Sequence, residues 1–214
     1  MIKYNNGLNN VDVVYYINLD HRKDRYNHIN KELAKTNIEL SKINRISGIY
    51  MKDFGSLGCS KSHCLALEMF INSPETNQTC IILEDDFEFT KEQPEINNLI
   101  NRVFNELKEF DVLMLSTNII NDINTPYDFI SKIIDAQTTS GYIVSRKFAP
   151  VLLQNYKQGI LNLERLGYRV DDFCIDIYMK KLQPCSNWYC LKPKIGKQME
   201  SFSDIEKHSV NYGC

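Results

Sequence analysis

Three consecutive carboxylates follow a short apolar run, where residues 81–86 read Ile-Ile-Leu-Glu-Asp-Asp. Because an unpaired charge is costly to bury, we expect these acids to lie where a buried strand leaves its sheet. Three anionic groups at one point repel one another unless a cation joins them. Mg²⁺ and Mn²⁺ suit this role, because they bind through one or two carboxylates plus oxygens of a bound substrate.

Side chains alternate along a strand, so Glu84 and Asp86 are expected on one face and Asp85 on the other. This spacing predicts a divalent-metal site formed by Asp86 and Glu84. The alternative interpretation is an exposed acidic turn in which one aspartate caps a helix.

A second polar segment follows the first predicted strand, residues 11–18, and contains Asn18, Asp20, Arg22 and Arg25. In a parallel sheet this segment reaches the same edge as the acids. An arginine fork there can bind a diphosphate, and Asp or Asn can hold a ribose or a base. In isolation, these residues are more typical of a solvated first helical turn with local ion pairs.

Glycines and hydroxyls in residues 55–63 precede a predicted helix over residues 60–70. A helix N-terminus offers free N–H groups and a partial positive charge to an anion, which makes Ser62 and His63 candidate binding residues. The alternatives are an N-capping serine and a packing histidine, the commoner role of a lone histidine. Cys59 beside His63 suggests a thiol nucleophile, but the sequence identifies no third group to orient it.

Two later segments add polar groups. Residues 138–142, Thr-Thr-Ser-Gly-Tyr, could line a polyol pocket with their hydroxyls, although Thr and Tyr also simply favour strands. Asp171, Asp172 and Asp176 open a predicted helix over residues 170–182. One of them could act as a general base, and acids at a helix start also stabilise the helix dipole.

The composition, with 43% hydrophobic and 24% charged residues over 214 positions, is that of a soluble globular protein. A formal net charge of −2 gives no general attraction for nucleic acid or an anionic membrane. The sequence shows no transmembrane stretch and no signal-peptide core, so we expect a cytoplasmic protein or one peripheral to a membrane. Seven cysteines without a Cys-x-x-Cys pair favour reduced thiols and argue against zinc, although two or three disulfides are compatible with the count.

Strands and helices alternate in the predicted order. Strands are predicted over residues 11–18, 42–46, 81–83, 111–116 and 136–144, and helices over 21–35, 60–70, 96–107, 147–156 and 170–182. Residues 118–132, and those from about 183 onward, show little periodicity and are expected to form loops. The pattern predicts one α/β domain over residues 1–214, with a mixed, mostly parallel sheet flanked by helices and ligands at the carboxyl ends of strands.

Taken in order, these motifs resemble glycosyltransferase family 25, which includes lipooligosaccharide and collagen galactosyltransferases. The resemblance is carried by Ile17-Asn18-Leu19-Asp20 with Arg22, Asp24 and Arg25, Gly58-Cys59 with Ser62-His63, Ile82-Leu83-Glu84-Asp85-Asp86, Asp111-Val112-Leu113, residues 139–145, Val170-Asp171, and Gln198 with Ser203-Asp204-Ile205.

The resemblance implies a GT-A-like fold and an inverting transferase that uses a UDP-sugar and Mn²⁺ or Mg²⁺. Such an enzyme moves a hexose to a hydroxyl of a carbohydrate or glycoprotein acceptor, as in lipopolysaccharide biosynthesis. By position, the metal falls to Asp86 and Glu84, and the donor to Asn18, Asp20, Arg22, Arg25, Ser62, His63, Glu84 and Asp85. Asp171, or Asp172 as second choice, would be the general base, and His208 is a weaker candidate for the metal shell.

Two features depart from the family pattern. Ser56 stands where the family often has an acidic residue, which leaves a donor contact in question, and the short chain leaves the acceptor unassigned. Two other interpretations stay open: a catalytically silent nucleotide-sugar-binding scaffold, and a metal-dependent nucleotidyltransferase or phosphohydrolase, which also uses clustered acids.

Overall fold

A computed structural model describes residues 4–202, 209 and 210, with side chains as far as residue 200. The helices are α1 (Lys23–Ala34), α2 (Gly55–Ile71), α3 (Gln93–Arg102), α4 (Ala149–Leu166) and α5 (Ile175–Tyr178). The strands are β1 (Val13–Asn18), β2 (Ile43–Ser47), β3 (Thr79–Glu84), β4 (Phe87–Phe89), β5 (Val112–Asn124), β6 (Ile130–Ser145), β7 (Trp188–Leu191), β8 (Gly196–Gln198), β9 (Ser201–Phe202) and β10 (Ser209–Val210).

A six-stranded sheet in the order β2-β1-β3-β6-β5-β7 forms the centre of the molecule. Strand β1 pairs in parallel with β2 and β3, β5 pairs in parallel with β7, and β6 runs antiparallel between β3 and β5. The predicted mixed, mostly parallel sheet is therefore confirmed. Ile17 lies opposite Glu84, and Asn18 lies opposite Ser47, so β1, β2 and β3 end at one edge.

The sheet separates two hydrophobic cores, as expected for helices on both faces. Alternation along β1 sends Val13 and Tyr15 into one core and Val14 and Tyr16 into the other. Buried residues of α2 and α4 fill the first core, and those of α1 and α3 fill the second.

Helix α2 begins at Gly55, five residues before the predicted start, so residues 55–63 lie inside the helix. Gly58 is there for packing, because a Cβ on it would lie 2.4 Å from the carbonyl oxygen of Ile49. The hydroxyls of Ser60 and Ser62 donate to carbonyls one turn earlier, at 2.9 and 2.8 Å. Residue types that usually mark a loop are thus accommodated within a helix.

Two segments predicted as loops are strands. Residues 118–132 continue β5 and β6 as a bulged antiparallel pair, with Asn118 opposite Gln137 and Asn124 opposite Ser131. Isoleucines and asparagines mix there without strict alternation, and Ile119, Ile120 and Ile123 are exposed, so the sequence lacks a strand pattern. The segment after residue 183 contains β7, which is buried and pairs with β5.

The predicted helix over residues 170–182 is broken into three pieces. A 3₁₀ turn, Asp171–Phe173, precedes the short α5, and a second 3₁₀ turn, Met179–Leu182, follows. The break lies at Cys174, whose backbone is extended with φ −65° and ψ 145°. In the part of the chain that the structure describes, every helix is too short or too polar to cross a bilayer.

Candidate functional site

The acids that end β3 lie at the edge of the sheet, as predicted. Glu84 is the last residue of β3, and Asp85 and Asp86 form the turn into β4. Asp85 is 6% exposed and Asp86 is 3% exposed, whereas Glu84 is partly exposed. Buried carboxylates need partners, and the surrounding elements provide them.

Arg25 of α1 joins the two aspartates. Its Nη1 lies 3.1 Å from Asp85 Oδ1 and 2.9 Å from Asp86 Oδ2. Strand alternation predicts that Glu84 and Asp86 share one face, and both line the same cavity, but the guanidinium contact is shared by Asp85 and Asp86. Strand geometry ends at Glu84, and the turn brings the next two carboxylates to the same guanidinium.

Asn18 holds Asp85 from the neighbouring strand. Its Nδ2 donates to Asp85 Oδ2 at 2.7 Å, and its Oδ1 accepts from Arg45 Nε at 3.1 Å. Arg45 also donates to Asp20 Oδ1 at 2.6 Å, and Ser47 donates to the other oxygen of Asp20 at 2.9 Å. The ends of β1, β2 and β3 are thus tied together by polar contacts.

Glu84 has a separate set of partners. Thr139 Oγ1 donates to Glu84 Oε1 at 2.8 Å, and His63 Nε2 lies 3.3 Å from the same oxygen. His63 is fully buried, and its Nδ1 lies 3.1 Å from the hydroxyl of Tyr142. His63 is therefore both packed in the core and in contact with the acidic edge.

Burial and these contacts set the acids apart in pKa. Burial, with the charges of Glu84 and Asp85, raises the pKa of Asp86 to about 7 despite Arg25. Burial also raises the pKa of Asp85 against the opposing effects of Arg25 and Asn18. Burial alone would raise the pKa of Glu84, but the contacts with His63 and Thr139 lower it.

A first cavity of about 110 Å³ opens at this edge. Its apolar lining includes Ile17, Leu19, Ile49 and Met51, and Tyr50 also lines it. Its polar lining residues are Arg25, Ser62, His63, Glu84, Asp85, Asp86 and Gln198. Six of these seven polar residues are ones that the sequence predicted for the site.

A second cavity of about 120 Å³ adjoins the first and shares Cys59, Glu84 and Gln198 with it. Thr138, Thr139 and Asp176 also line it. Burial and the charge of Glu84 raise the pKa of Asp176. The predicted hydroxyl-rich segment thus contributes Thr138 and Thr139 to a cavity wall.

Five predicted residues line neither of the two cavities. Asp20 bonds to Arg45 and Ser47, and Arg22 bonds to the exposed Asp24 at 2.8 Å. Asp171 is exposed and bonds to Arg169 at 2.7 Å, and Asp172 is exposed beside it. The predicted base Asp171 therefore contacts a residue of the second cavity, Arg169, without lining that cavity itself. Asn18 donates to Asp85, which lines the first cavity. Ser203, Asp204, Ile205 and His208 lie outside the described residues.

Sequence reasoning considered three further cavity residues without assigning them to the site: Gln198 as part of the family pattern, Cys59 as a thiol nucleophile and Asp176 as one of three possible bases. Gln198 donates to Asp86 Oδ2 at 3.0 Å, because β8 pairs with β4 next to the acids. Its place in the family pattern was the one available signal. Cys59 lies one helical turn before His63, and that spacing was visible in the sequence.

The residues of the edge fit a hard divalent cation. Asp86 Oδ1 is buried and accepts no hydrogen bond from any residue that the structure describes, while Oδ2 contacts Arg25 and Gln198. Two carboxylates share the guanidinium of Arg25, and Glu84 lines the same cavity. Oxygen ligands of this kind suit Mg²⁺ or Mn²⁺, and Asp86 and Glu84 could hold such an ion.

No family model and no curated protein sequence matches the chain. Among solved structures, it resembles a glycosyltransferase involved in the glycosylation of the major capsid of PBCV-1. The TM-score is 0.53 at 7% identity, over 91% of this chain and 95% of that one. The chain is also similar to A197 from STIV, with a TM-score of 0.47 at 11% identity over 94% of each chain. A third similar structure is mannose-1-phosphate geranyltransferase from Thermus thermophilus, with a TM-score of 0.46 at 7% identity over 91% of this chain and 76% of that one. The chain therefore has a glycosyltransferase-type α/β fold, in agreement with the fold predicted from the sequence. The assignment to family 25 stays a prediction.

Proposed function

We propose that the chain is a metal-dependent glycosyltransferase that moves a hexose from a UDP-sugar to a hydroxyl of a glycan or glycoprotein, with inversion at the anomeric carbon. One observation carries this proposal: Glu84 lies on the wall shared by two adjoining cavities, next to the buried pair Asp85 and Asp86. A transferase needs such an arrangement, because the donor and the acceptor must meet beside the group that stabilises the leaving diphosphate.

The first cavity suits the donor. Its apolar side, which includes Ile17 and Ile49, can cover a nucleobase, and Arg25 supplies a fixed positive charge for the diphosphate. Asp86 and Glu84 are the residues that would hold the metal. When bound, the ion supplies Lewis-acid stabilisation to the leaving group.

The second cavity suits the acceptor and the transferred sugar, because it offers hydroxyl and carboxylate groups. Thr138 has φ 86°, a conformation that is unusual for a β-branched residue and costly. Such strain clusters at functional positions, where the surrounding structure maintains it. We assign Thr138 and Thr139 to the binding of sugar hydroxyls.

Asp176 is the general base in this proposal, in place of Asp171. The acceptor oxygen attacks the anomeric carbon, the bond from that carbon to the diphosphate oxygen breaks, and the electron pair leaves with UDP. The acceptor proton passes to the Asp176 carboxylate. A carboxylate with a raised pKa is suited to this role, since a base works best when its pKa approaches the working pH.

The test is manganese-dependent release of UDP from UDP-glucose, UDP-galactose and their N-acetyl forms, with calorimetry of UDP and Mn²⁺ binding. We expect one donor to be turned over and Asp86→Asn to abolish the manganese dependence. The matched control is Asp128→Asn, a carboxylate that is exposed and paired with Arg102. Release of pyrophosphate or phosphate would contradict the proposal in favour of a nucleotidyltransferase or phosphohydrolase, and binding without turnover would favour a scaffold.

A further inference from the structure

Helix α2 and strand β3 bring together a thiol, an imidazole and a carboxylate. The ligand atoms of Cys59, His63 and Glu84 all lie within 4.8 Å of one another. Cys59 and His63 are four residues apart in α2, so they project from the same face of the helix. That face lies against the end of β3, where Glu84 is located.

We infer that Cys59, His63 and Glu84 form a three-ligand site for a borderline divalent cation, of which Zn²⁺ is the type. Sulfur and imidazole ligands select such ions, whereas Mg²⁺ and Mn²⁺ prefer oxygen. Three protein ligands with a fourth position left for water or substrate are typical of zinc sites that do not serve a purely structural role. The site differs from the all-oxygen site proposed for the donor metal.

The existing geometry is close to what such an ion requires. Two ligands at the usual zinc distances lie about 3.4 Å apart across a tetrahedral edge, and His63 Nε2 lies 3.3 Å from Glu84 Oε1. The corresponding sulfur-to-nitrogen edge is about 3.6 Å, so a small rotation of the Cys59 side chain within the 4.8 Å cluster would complete the triangle.

The histidine also has the support that metal-bound histidines have. Its Nδ1 lies 3.1 Å from the hydroxyl of Tyr142, and its ring stacks on the Tyr142 ring with centroids 5.9 Å apart. Tyr156 contacts the imidazole edge-on from the other side. A hydrogen-bonding partner on the far nitrogen fixes the orientation of the ring, which leaves Nε2 directed at the cluster.

Access and charge both favour a cation at this point. Cys59 and Glu84 line both cavities, so an ion between them has solvent or ligand on its open side. The carboxylates of Glu84, Asp86 and Asp176, which line the same two cavities, attract a divalent ion, and metal binding releases the thiol proton.

The three-ligand site does not depend on the proposed function, but if both are correct, zinc should affect the transferase activity. Glu84 belongs to both ligand sets, so a zinc ion on Cys59 and His63 would remove one ligand from the donor metal. Zinc would then inhibit manganese-dependent UDP release in competition with manganese, and Cys59→Ser would relieve that inhibition.

The direct test is a Co²⁺ titration of the metal-free full-length protein without nucleotide, followed by absorption spectroscopy and back-titration with Zn²⁺. We expect one equivalent of Co²⁺ to give the near-ultraviolet charge-transfer band of a thiolate ligand, and Zn²⁺ to displace it. Cys59→Ser should lose the band, and His63→Gln and Glu84→Gln should weaken binding by about tenfold or more. The titration contains no sugar donor, so it can fail or succeed independently of the UDP-release assay.

Cys174→Ser is the matched control, because Cys174 also lines the second cavity but lies outside the ligand cluster. Cys185→Ser controls for binding to an exposed thiol. Both variants should keep the band. Two results would overturn the proposal: a thiolate band that survives Cys59→Ser, or a stoichiometric Co²⁺ spectrum without thiolate character in the folded wild type. Urea unfolding of Cys59→Ser and His63→Gln checks that each variant folds.

Discussion

Two acidic segments, the turn after β3 and the stretch leading into α5, have three carboxylates each and place them in different surroundings. Asp85 and Asp86 are buried and share Arg25, and Glu84 contacts His63 and Thr139. In the second segment, Asp171 and Asp172 are exposed, and Asp176 alone lines a cavity. An exposed carboxylate costs little to keep, whereas a buried group of them must be matched by positive charge. Burial therefore distinguishes the carboxylates that line the cavities from the exposed Asp171 and Asp172.

The two segments meet at the wall between the cavities. Burial raises the pKa of Asp86 to about 7, and burial with the charge of Glu84 raises the pKa of Asp176. One acid in each cavity can therefore exchange a proton closer to neutrality than an ordinary aspartate does. We assign them different roles, metal ligand and base, because Asp86 adjoins Arg25 and Asp176 adjoins the hydroxyls of β6.

The largest effect is expected from removing the base. Asp176→Asn should slow acceptor-dependent UDP release by about 10²–10⁴-fold, because a general base contributes that much to the rate. UDP binding should be unchanged. Asp171→Asn, on the exposed part of the same segment, should change the rate by no more than about threefold. Steady-state rates and calorimetry with UDP give both quantities. If Asp171→Asn is the slow variant, the assignment made from the sequence is restored.

Removing the guanidinium of Arg25, which Asp85 and Asp86 share, should have the largest effect on the free energy of unfolding. Arg25→Gln leaves Asp85 and Asp86 buried without their counter-charge, and breaking a buried ion pair on one side costs about 3–5 kcal/mol. Lys91→Gln breaks an exposed i,i+4 pair with Glu95 and should cost about 0.5 kcal/mol. Urea unfolding measures both free energies. Mn²⁺ should raise the stability of Arg25→Gln more than that of the wild type, and equal stabilisation would contradict a cation at these acids.

The acidic edge could be predicted from sequence because local rules determine it. An apolar run that ends in charge fixes where β3 leaves the sheet, and a parallel arrangement brings the end of β1 to the same place. Asn18 and Arg25 were found in this way. The start of α2 could not be predicted in this way. Gly58 suggests a turn, but it is required because the Ile49 carbonyl approaches the helix closely there.

Long-range packing decides the remaining parts of the site. Gln198 reaches Asp86 through the pairing of β8 with β4, which joins residues more than a hundred positions apart. The choice between Asp171 and Asp176 depends on the extended backbone at Cys174, which turns the chain between them. The Cys59 and His63 spacing was visible, but its third member, Glu84, lies on another element.

The pH dependence of stability should differ in sign between two aspartates. The folded state raises the pKa of Asp86 to about 7, so it holds this proton more tightly than the unfolded state does. The resulting stabilisation is fully present below about pH 4 and is lost as the pH rises through about 7. Its contribution is at most on the order of 4 kcal/mol. Asp24 behaves oppositely: Arg22 lowers its pKa to about 2, so its contribution is lost as pH falls toward that value.

Urea unfolding of the metal-free protein between pH 4 and 8 tests the first effect. Asp86→Asn should flatten the decline in stability over this interval. Asp24→Asn should leave that interval unchanged and reduce the loss of stability below it. A decline that is the same in Asp86→Asn and the wild type would contradict the assignment of the raised pKa to Asp86.

The smallest expected effect compares two neighbours on β6. Thr139 Oγ1 donates to Glu84 Oε1 at 2.8 Å, whereas Ser140 Oγ donates to Ser116 Oγ at 2.9 Å inside the protein. Thr139→Val should raise the Mn²⁺ concentration needed for half-maximal UDP release by about fivefold, because the lost bond is worth about 1 kcal/mol and favours ionised Glu84. Ser140→Ala should lower the free energy of unfolding by about 1 kcal/mol and leave the manganese response unchanged. Adjacent strand residues face opposite sides, so equal manganese responses in the two variants would show that Glu84 does not contribute to metal binding.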